Sequence, residues 1–522
     1  MLIHPIDLAV LAIYFLGVIA LGLRFSRRNK DTESYYLGNK AFPGWAIGIS
    51  LIGTMISSLT FIAGPADSFK TAYLRSVPQF MVPLGAIIVA VFFVPVFRRG
   101  VTSAYEYLDR RFGPVISGYA AFIFLLAQIT KISMVAYLVA ILFQFMTGLP
   151  FHACLLIAAG ITALYTAKGG YTAVVWTDLM QTFVLMGGAI VAIIFICHAL
   201  PGGLTQVIHD GWAAKKLSFW DVNPATNTLQ PVTWNFSLSQ KSITALFLIG
   251  IINFLGNNID QKNVQRWCST RTCRDAQVAV LLFGFGTVVV WLAFKFLGTS
   301  LYVFFHQFPA VIPTEILHGT RKAEEIMPYF IMHHLPHGVA GVVIAAALAA
   351  AMATLSASIN ASSMVLVRDL YERFLSPGQP DAHYLRVGKG ASWMASVVMV
   401  VGASIVHWLN TETMAEFYMV LSSLIGSSLA GVFFLGIFTK RANMGGIYCA
   451  LAANFLVVGY LLLSNWGLLP ASVSVVVNLY YIGAIGNLTT FAVGFMASHF
   501  LSPPPKELRN LTIWTQDKIP NL

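Results

Sequence analysis

Runs of about twenty apolar residues recur along the whole chain, separated by short polar stretches rich in Arg, Lys, Gly and Pro. A run of that length suits a helix crossing a hydrocarbon core roughly 30 Å thick. Thirteen runs predict thirteen spans, at approximately 5–24, 43–66, 77–97, 115–147, 151–167, 174–199, 241–258, 276–305, 338–367, 385–409, 414–438, 445–464 and 473–500. The first has Asp7 at its start and Arg24, Arg27 and Arg28 after it, the reverse of a signal peptide's charge order. It reads as a retained helix.

Two spans depart from uniform hydrophobicity. Span two, GWAIGISLIGTMISSLTFIAGPADSF, contains Gly48, Gly53, Gly64, Pro65 and the hydroxyls of Thr54, Ser57, Ser58 and Thr60. Span seven, ALFLIGIINFLGNNIDQ, contains Asn253, Gly256, Asn257 and Asn258. Each starts a block of five spans, 43–199 and 241–438, leaving 5–24, 445–464 and 473–500 as peripheral helices around one transporter domain, 1–522. Interrupted helices at corresponding places in two halves mark transporters built from inverted repeats. The alternative is that Gly and Ser only let helices pack closely.

The polar residues in other spans narrow the chemistry. Span nine carries AAALAAAMATLSASINASS, where Thr354, Ser356 and Ser358 offer neutral oxygens suited to a hard monovalent cation. Hydroxyls bonding back to the preceding turn would look the same. Lys131 stands in the middle of span four, where even low insertion estimates put the cost at about 2.5–3.5 kcal/mol and an ionisable group is by default a functional hypothesis. A structural ion pair is its alternative. Lys295, nearer the outer end of span eight, reads as a snorkelling lysine. Asp178, at the start of span six, either complements a helix N-terminus or takes part in cation binding or gating. Gln79 and Asn253 could bond sugar hydroxyls or a carboxylate, or serve as structural amides.

Composition excludes a soluble fold: 57% of the 522 residues are hydrophobic and 10% charged, against roughly 25% charged in soluble domains. The net charge of +11 has no basic run with interleaved aromatics behind it, so no nucleic-acid partner is expected. It reflects topology instead. With the first loop cytoplasmic, 23 Lys and Arg fall inside, 7 outside and 2 within spans, giving an N-terminus outside and a C-terminus inside. Cys268 and Cys273 lie in a basic loop read as cytoplasmic, and neither a disulfide framework nor a metal motif is indicated.

The chain resembles the sodium:solute symporter family over essentially all thirteen spans. The resemblance rests on KGGYTAVVWTDLMQ (168–181), DQKNVQRW (260–267), SLIGTMISSLTF (50–61) and AAAMATLSASINASSMVLVRDLYERF (349–374). The span count and the stretch TGLPFHACLLIAAGITALYTAKGGYTAVVWTD look most like bacterial sialic acid and sugar symporters. It implies an all-α polytopic protein with a LeuT-like five-plus-five core, one extra N-terminal helix and two C-terminal ones. It also implies sodium-coupled uptake of a small organic solute by alternating access.

Carried over by resemblance, the main sodium site uses the backbone carbonyls of Gly53, Ile56 and Ala350 with side chains at Ala353 and Thr354, so one of its two hydroxyls is missing. A second cation near Asp178 would use positions 353, 356 and 357, of which only Ser356 keeps a hydroxyl, so one sodium per solute is expected. The solute positions are Ser57, Thr60, Gln79, Lys131 and Asn253. Lys131 lies at or beside an arginine that grips a carboxylate in the sialic acid branch, and lysine supplies the charge without the fork. Gly256 stands where sugar-transporting relatives can place a gating tyrosine.

The expected activity is therefore plasma-membrane symport of sodium with a sialic acid or other carboxylated sugar. A neutral sugar or small monocarboxylate is the alternative. A membrane-embedded enzyme or a sensor is remote, since the helices show no catalytic constellation. Partners are the solute, sodium and the lipid bilayer. No obligate protein partner is evident, because one chain holds a full ten-helix core.

Overall fold

The computed structural model describes residues 3–26, 29–99, 101–223, 226–239, 241–409, 426–501 and 508–516, with the side chains of Ser58, Leu59 and Asn257 excepted. Span eleven as expected, 414–438, lies partly outside these residues, and Leu429–Phe438 is its described remainder.

The long helices are α1 (Pro5–Ser26), α2 (Gly44–Met55), α3 (Ser58–Lys70), α4 (Leu74–Phe97), α5 (Pro114–Thr147), α6 (Phe151–Ala199), α7 (Ile243–Asn258), α8 (Gln261–Cys268), α9 (Cys273–Gln307), α10 (Val339–Leu375), α11 (Asp381–Leu409), α12 (Leu429–Phe438), α13 (Met444–Asn465) and α14 (Leu479–Phe500). Among the described residues, nine are long and apolar enough to span a membrane, or eleven if the bent pairs α2/α3 and α7/α8 each count once. Two expected spans account for the difference from thirteen: span eleven is described only over Leu429–Phe438, and 151–167 and 174–199 are joined in one helix. Expected spans 151–167 and 174–199 run together as α6, whose 49 residues would extend about 73 Å if straight. That is more than twice the hydrocarbon thickness. The backbone leaves helical geometry inside it at Gly170, with φ 62° and ψ −163°, a conformation that glycine tolerates.

Both expected interruptions appear as bends, 62° between α2 and α3 and 59° between α7 and α8. In the first, Ile56 and Ser57 are extended (ψ 116° and 173°), which frees carbonyls from the helical ladder. The second falls later than the sequence implied. Helix α7 continues through Asn253 and Gly256 to Asn258, and the chain turns at Ile259 before Asp260 caps α8.

Helix α10 occupies the centre. Its alanine and serine stretch is almost wholly buried, because side chains of that size let neighbouring backbones approach, and it packs most extensively on α6. The outer ring keeps large apolar side chains exposed, among them Ile13, Phe122, Phe183, Ile194 and Phe455, as helices facing lipid require. Between α6 and α7 a two-stranded antiparallel hairpin pairs Trp220–Val222 with Leu229–Pro231. Just before it, Lys216 donates to the carbonyls of Phe69, Lys70 and Thr71 at 2.7, 3.1 and 3.0 Å, satisfying the exposed end of α3 with all three ammonium protons.

Candidate functional site

Three carbonyls converge on one hydroxyl at the first bend. Thr354 Oγ1 lies 3.2 Å from Thr54 O, 3.4 Å from Ile56 O and 3.2 Å from Ala350 O. The contact with Ala350 is the back-bond that a mid-helix threonine commonly makes. The other two reach across to the opened end of α2. Of the expected cation ligands, Ile56, Ala350 and Thr354 are thus brought together. Thr54 O, rather than Gly53 O, is the second α2 oxygen beside Thr354. Gly53 packs against α6, where a Cβ would collide with the Thr182 hydroxyl. Ala353 offers its carbonyl to Ser356 Oγ at 3.1 Å.

Asp178 is fully buried one layer away. Its Oδ2 accepts from Ser50 Oγ at 2.7 Å, from Thr54 Oγ1 at 3.3 Å and from Arg266 NH2 at 2.7 Å, while Ser356 Oγ lies 3.4 Å from Oδ1. Arg266 also donates to Ser50 Oγ at 3.1 Å, Thr54 Oγ1 at 2.6 Å and Lys262 O at 3.1 Å. Sequence reading placed Arg266 among the cytoplasmic cations. It is 1% exposed, because the bend after α7 turns α8 back into the protein. Two glutamines on α8 fix that placement: Gln265 donates to Tyr36 O and Asn360 Oδ1, and Gln261 accepts from Ala104 N.

An open cavity of about 400 Å³ lies beside the bend, lined among others by Thr60, Asp67, Arg75, Gln79, Asn253 and Lys295. Three of the five expected solute residues share it, namely Thr60, Gln79 and Asn253. Ser57, at the bend, and Lys131 do not line it. Lys295 does not snorkel. It is 2% exposed and ion-paired with Asp67, whose other oxygen takes Arg75 NH1 at 2.9 Å. Trp291 also lines this cavity, and its indole N–H has no partner.

A smaller cavity of about 160 Å³ lies on the other side of Asn253, which lines both. Gln128, Gly256, Asp260 and Asn487 contribute to it. A Cβ at Gly256 would come within 3.0 Å of the Ala430 Cβ. Lys131, one turn from Gln128, sits beside the buried Lys262, which pairs with Asp260 at 2.9 Å.

The sequence profile of the sodium:solute symporter family matches residues 35–454. The chain belongs to the sodium:solute symporter family. The symporter is 29% identical over 507 residues to the sodium/sialic acid symporter SiaT of Proteus mirabilis, covering 95% of this chain and 96% of that one. A solved Na+-coupled sialic acid symporter, described as substrate-bound and outward-open with a novel Na+ site, matches with a TM-score of 0.84 at 27% identity, covering 96% of this chain and 99% of that one. Mhp1, a nucleobase-cation-symport-1 family transporter, matches with a TM-score of 0.54 at 14% identity over 89% and 94% of the two chains, a likeness of fold. The symporter is a multi-pass membrane transporter coupled to sodium, and not an enzyme.

Removing one partner of a buried ion pair strands the other charge, at a cost of about 3–5 kcal/mol. Arg266→Met should therefore lower the melting temperature of the purified symporter sharply, and adding Asp178→Asn should restore most of the loss. A single variant that melts like the wild type would show that the pair carries little stability.

Proposed function

We propose that the symporter imports a sialic acid or another carboxylated sugar together with one sodium ion, through a five-plus-five core within thirteen spans, with its N-terminus outside. One observation carries the choice of an anionic solute. Cations stand at both cavities that share Asn253 in their walls: Lys295 and Arg75 line the larger with Asp67, and Asp260 of the smaller pairs with Lys262, beside Lys131. A carboxylate moving past Asn253 would leave one locally positive site for another. Gln79, Thr60 and Asn253 supply amide and hydroxyl groups for sugar hydroxyls. The similarity to sialic acid symporters supports the same reading.

In this mechanism sodium binds at the bend between α2 and α10, through the carbonyls gathered around Thr354. Its charge holds the unwound carbonyls of α2 against α10 and so fixes the cavity wall that begins at Thr60. Solute and sodium then favour each other's binding reciprocally. Lys131 acts on the inner side, receiving the carboxylate as the cavity opens inward. The guanidinium of Arg266 already neutralises Asp178, so a second cation there would first have to displace it. This supports a single sodium.

Uptake into proteoliposomes tests the solute class. A sodium gradient should drive accumulation of N-acetylneuraminate, and unlabelled sugar acids should compete where glucose and pyruvate do not. Competition by glucose or pyruvate alone would replace this reading with the neutral-sugar or monocarboxylate one. Lys131→Ala and Arg75→Ala should each reduce uptake of the anionic solute about tenfold, the equivalent of about 1.4 kcal/mol; unchanged uptake in both removes the two cations from the path. Thr354→Ala should raise half-saturating sodium roughly tenfold, the loss of one net oxygen interaction. The sodium Hill coefficient should stay near one, and a value near two would establish a second ion.

A further inference from the structure

The start of α1 meets the start of α10 at a cluster that the transport cycle does not use. Asp7 is 3% exposed, and its Oδ1 accepts from the backbone N–H groups of Gly338 and Gly341, both at 2.7 Å. The carboxylate thereby caps another helix and is held in one orientation. The Gly338 backbone, at φ 89°, and the close approach of Gly341 to the Asp7 backbone, where a Cβ would sit 2.8 Å from Cα, both favour glycine at these places. The second carboxylate oxygen accepts none of the N–H groups of α10. It faces His337 Nδ1 at 3.6 Å, beyond hydrogen-bond reach. The His337 ring stacks on His4 with centroids 3.9 Å apart and planes 13° apart. His4 uses Nδ1 to accept from Ile6 N at 3.3 Å, which leaves Nε2 available.

One ligand atom from each of the three residues lies within 4.8 Å of the others, the one such group of histidine, cysteine or acidic side chains among the described residues. We propose that His4, Asp7 and His337 form a binding site for a divalent transition metal of the zinc class. Two imidazole nitrogens and one carboxylate oxygen match the ligand preferences of zinc, with a fourth position left to water. Ligand atoms in a tetrahedral zinc site lie about 3.3 Å apart, given bonds of roughly 2.0–2.1 Å. The cluster closes to that spacing when the His337 ring, 63% exposed, turns out of its stacking contact with His4. Asp7 is already fixed by its two backbone donors. The bound ion would pin the first helix, which lies outside the repeats, to the helix that carries Thr354.

The test uses the full-length symporter, stripped with chelator and with any polyhistidine tag removed. Zinc should bind at one equivalent in competition with a fluorescent chelator and should raise the melting temperature by about 2 °C or more, as expected for a ligand that binds the folded state alone. Magnesium and calcium, which prefer all-oxygen sites, should not. His337→Ala and His4→Ala should melt like the wild type without metal and lose the zinc shift. Absence of stoichiometric binding by the wild type overturns the site, as does retention of binding and shift in the His4→Ala/His337→Ala double variant.

Discussion

The buried pair of Asp178 and Arg266 is the interaction on which the centre of this structure depends. Arg266 comes from the short helix after the second bend and Asp178 from the long helix after Gly170. Both are tied to Ser50 and Thr54, just before the first bend. An unpaired charge at either position would be costly, so the three segments keep their mutual placement. Thr54 then links this pair to the cation cluster. Its hydroxyl accepts from Arg266, and its carbonyl stands 3.2 Å from Thr354 Oγ1. A shift of α2 relative to α10 therefore disturbs the ion pair and the gathered carbonyls together. That shared residue gives a physical route by which events at the bend reach the α8 segment and, through Gln265, Tyr36 and Asn360.

Much of this was legible in the sequence, and what escaped did so for identifiable reasons. Lengths of apolar runs located the helices, and glycine, hydroxyl and amide clusters marked the two interruptions, because these residues lower the cost of leaving helical geometry. Hydropathy carries no information on depth once a chain bends. Residues 261–268 read as a polar loop, yet the 59° bend takes Gln261, Lys262, Gln265 and Arg266 into the interior, where each finds a partner. Lys295 was misread for a related cause. Its acid, Asp67, lies 228 residues earlier on α3, so neither sequence position announces the pair. Asp67 and Arg75 were counted among outer charges, whereas both line the cavity. Spacing could have hinted at this, since Asp67 follows Thr60 by two helical turns and shares its face.

The relocated charges alter the charge balance without reversing it. With the buried Arg111, Lys262 and Arg266 set aside on the inner side and the buried Lys216 on the outer, the assigned counts of Lys and Arg fall from 23 to 20 and from 7 to 6. The proposed orientation rests on this bias, which counts short loops and is spread over several segments. The interior, however, holds more charge than hydropathy implied. Asp178 and Arg266 cancel, Asp67 pairs with the buried Lys295 and the exposed Arg75, and Asp260 pairs with Lys262 beside Lys131. On the proposed reading, these cations are what an anionic solute meets on its way past Asn253. The buried Lys295 and Lys262 are each held by one carboxylate, since an unpaired ammonium at that depth would be costly. A solute carboxylate would then add a second counter-ion at each place in turn, which ties the charge pattern of the interior to the proposed substrate class.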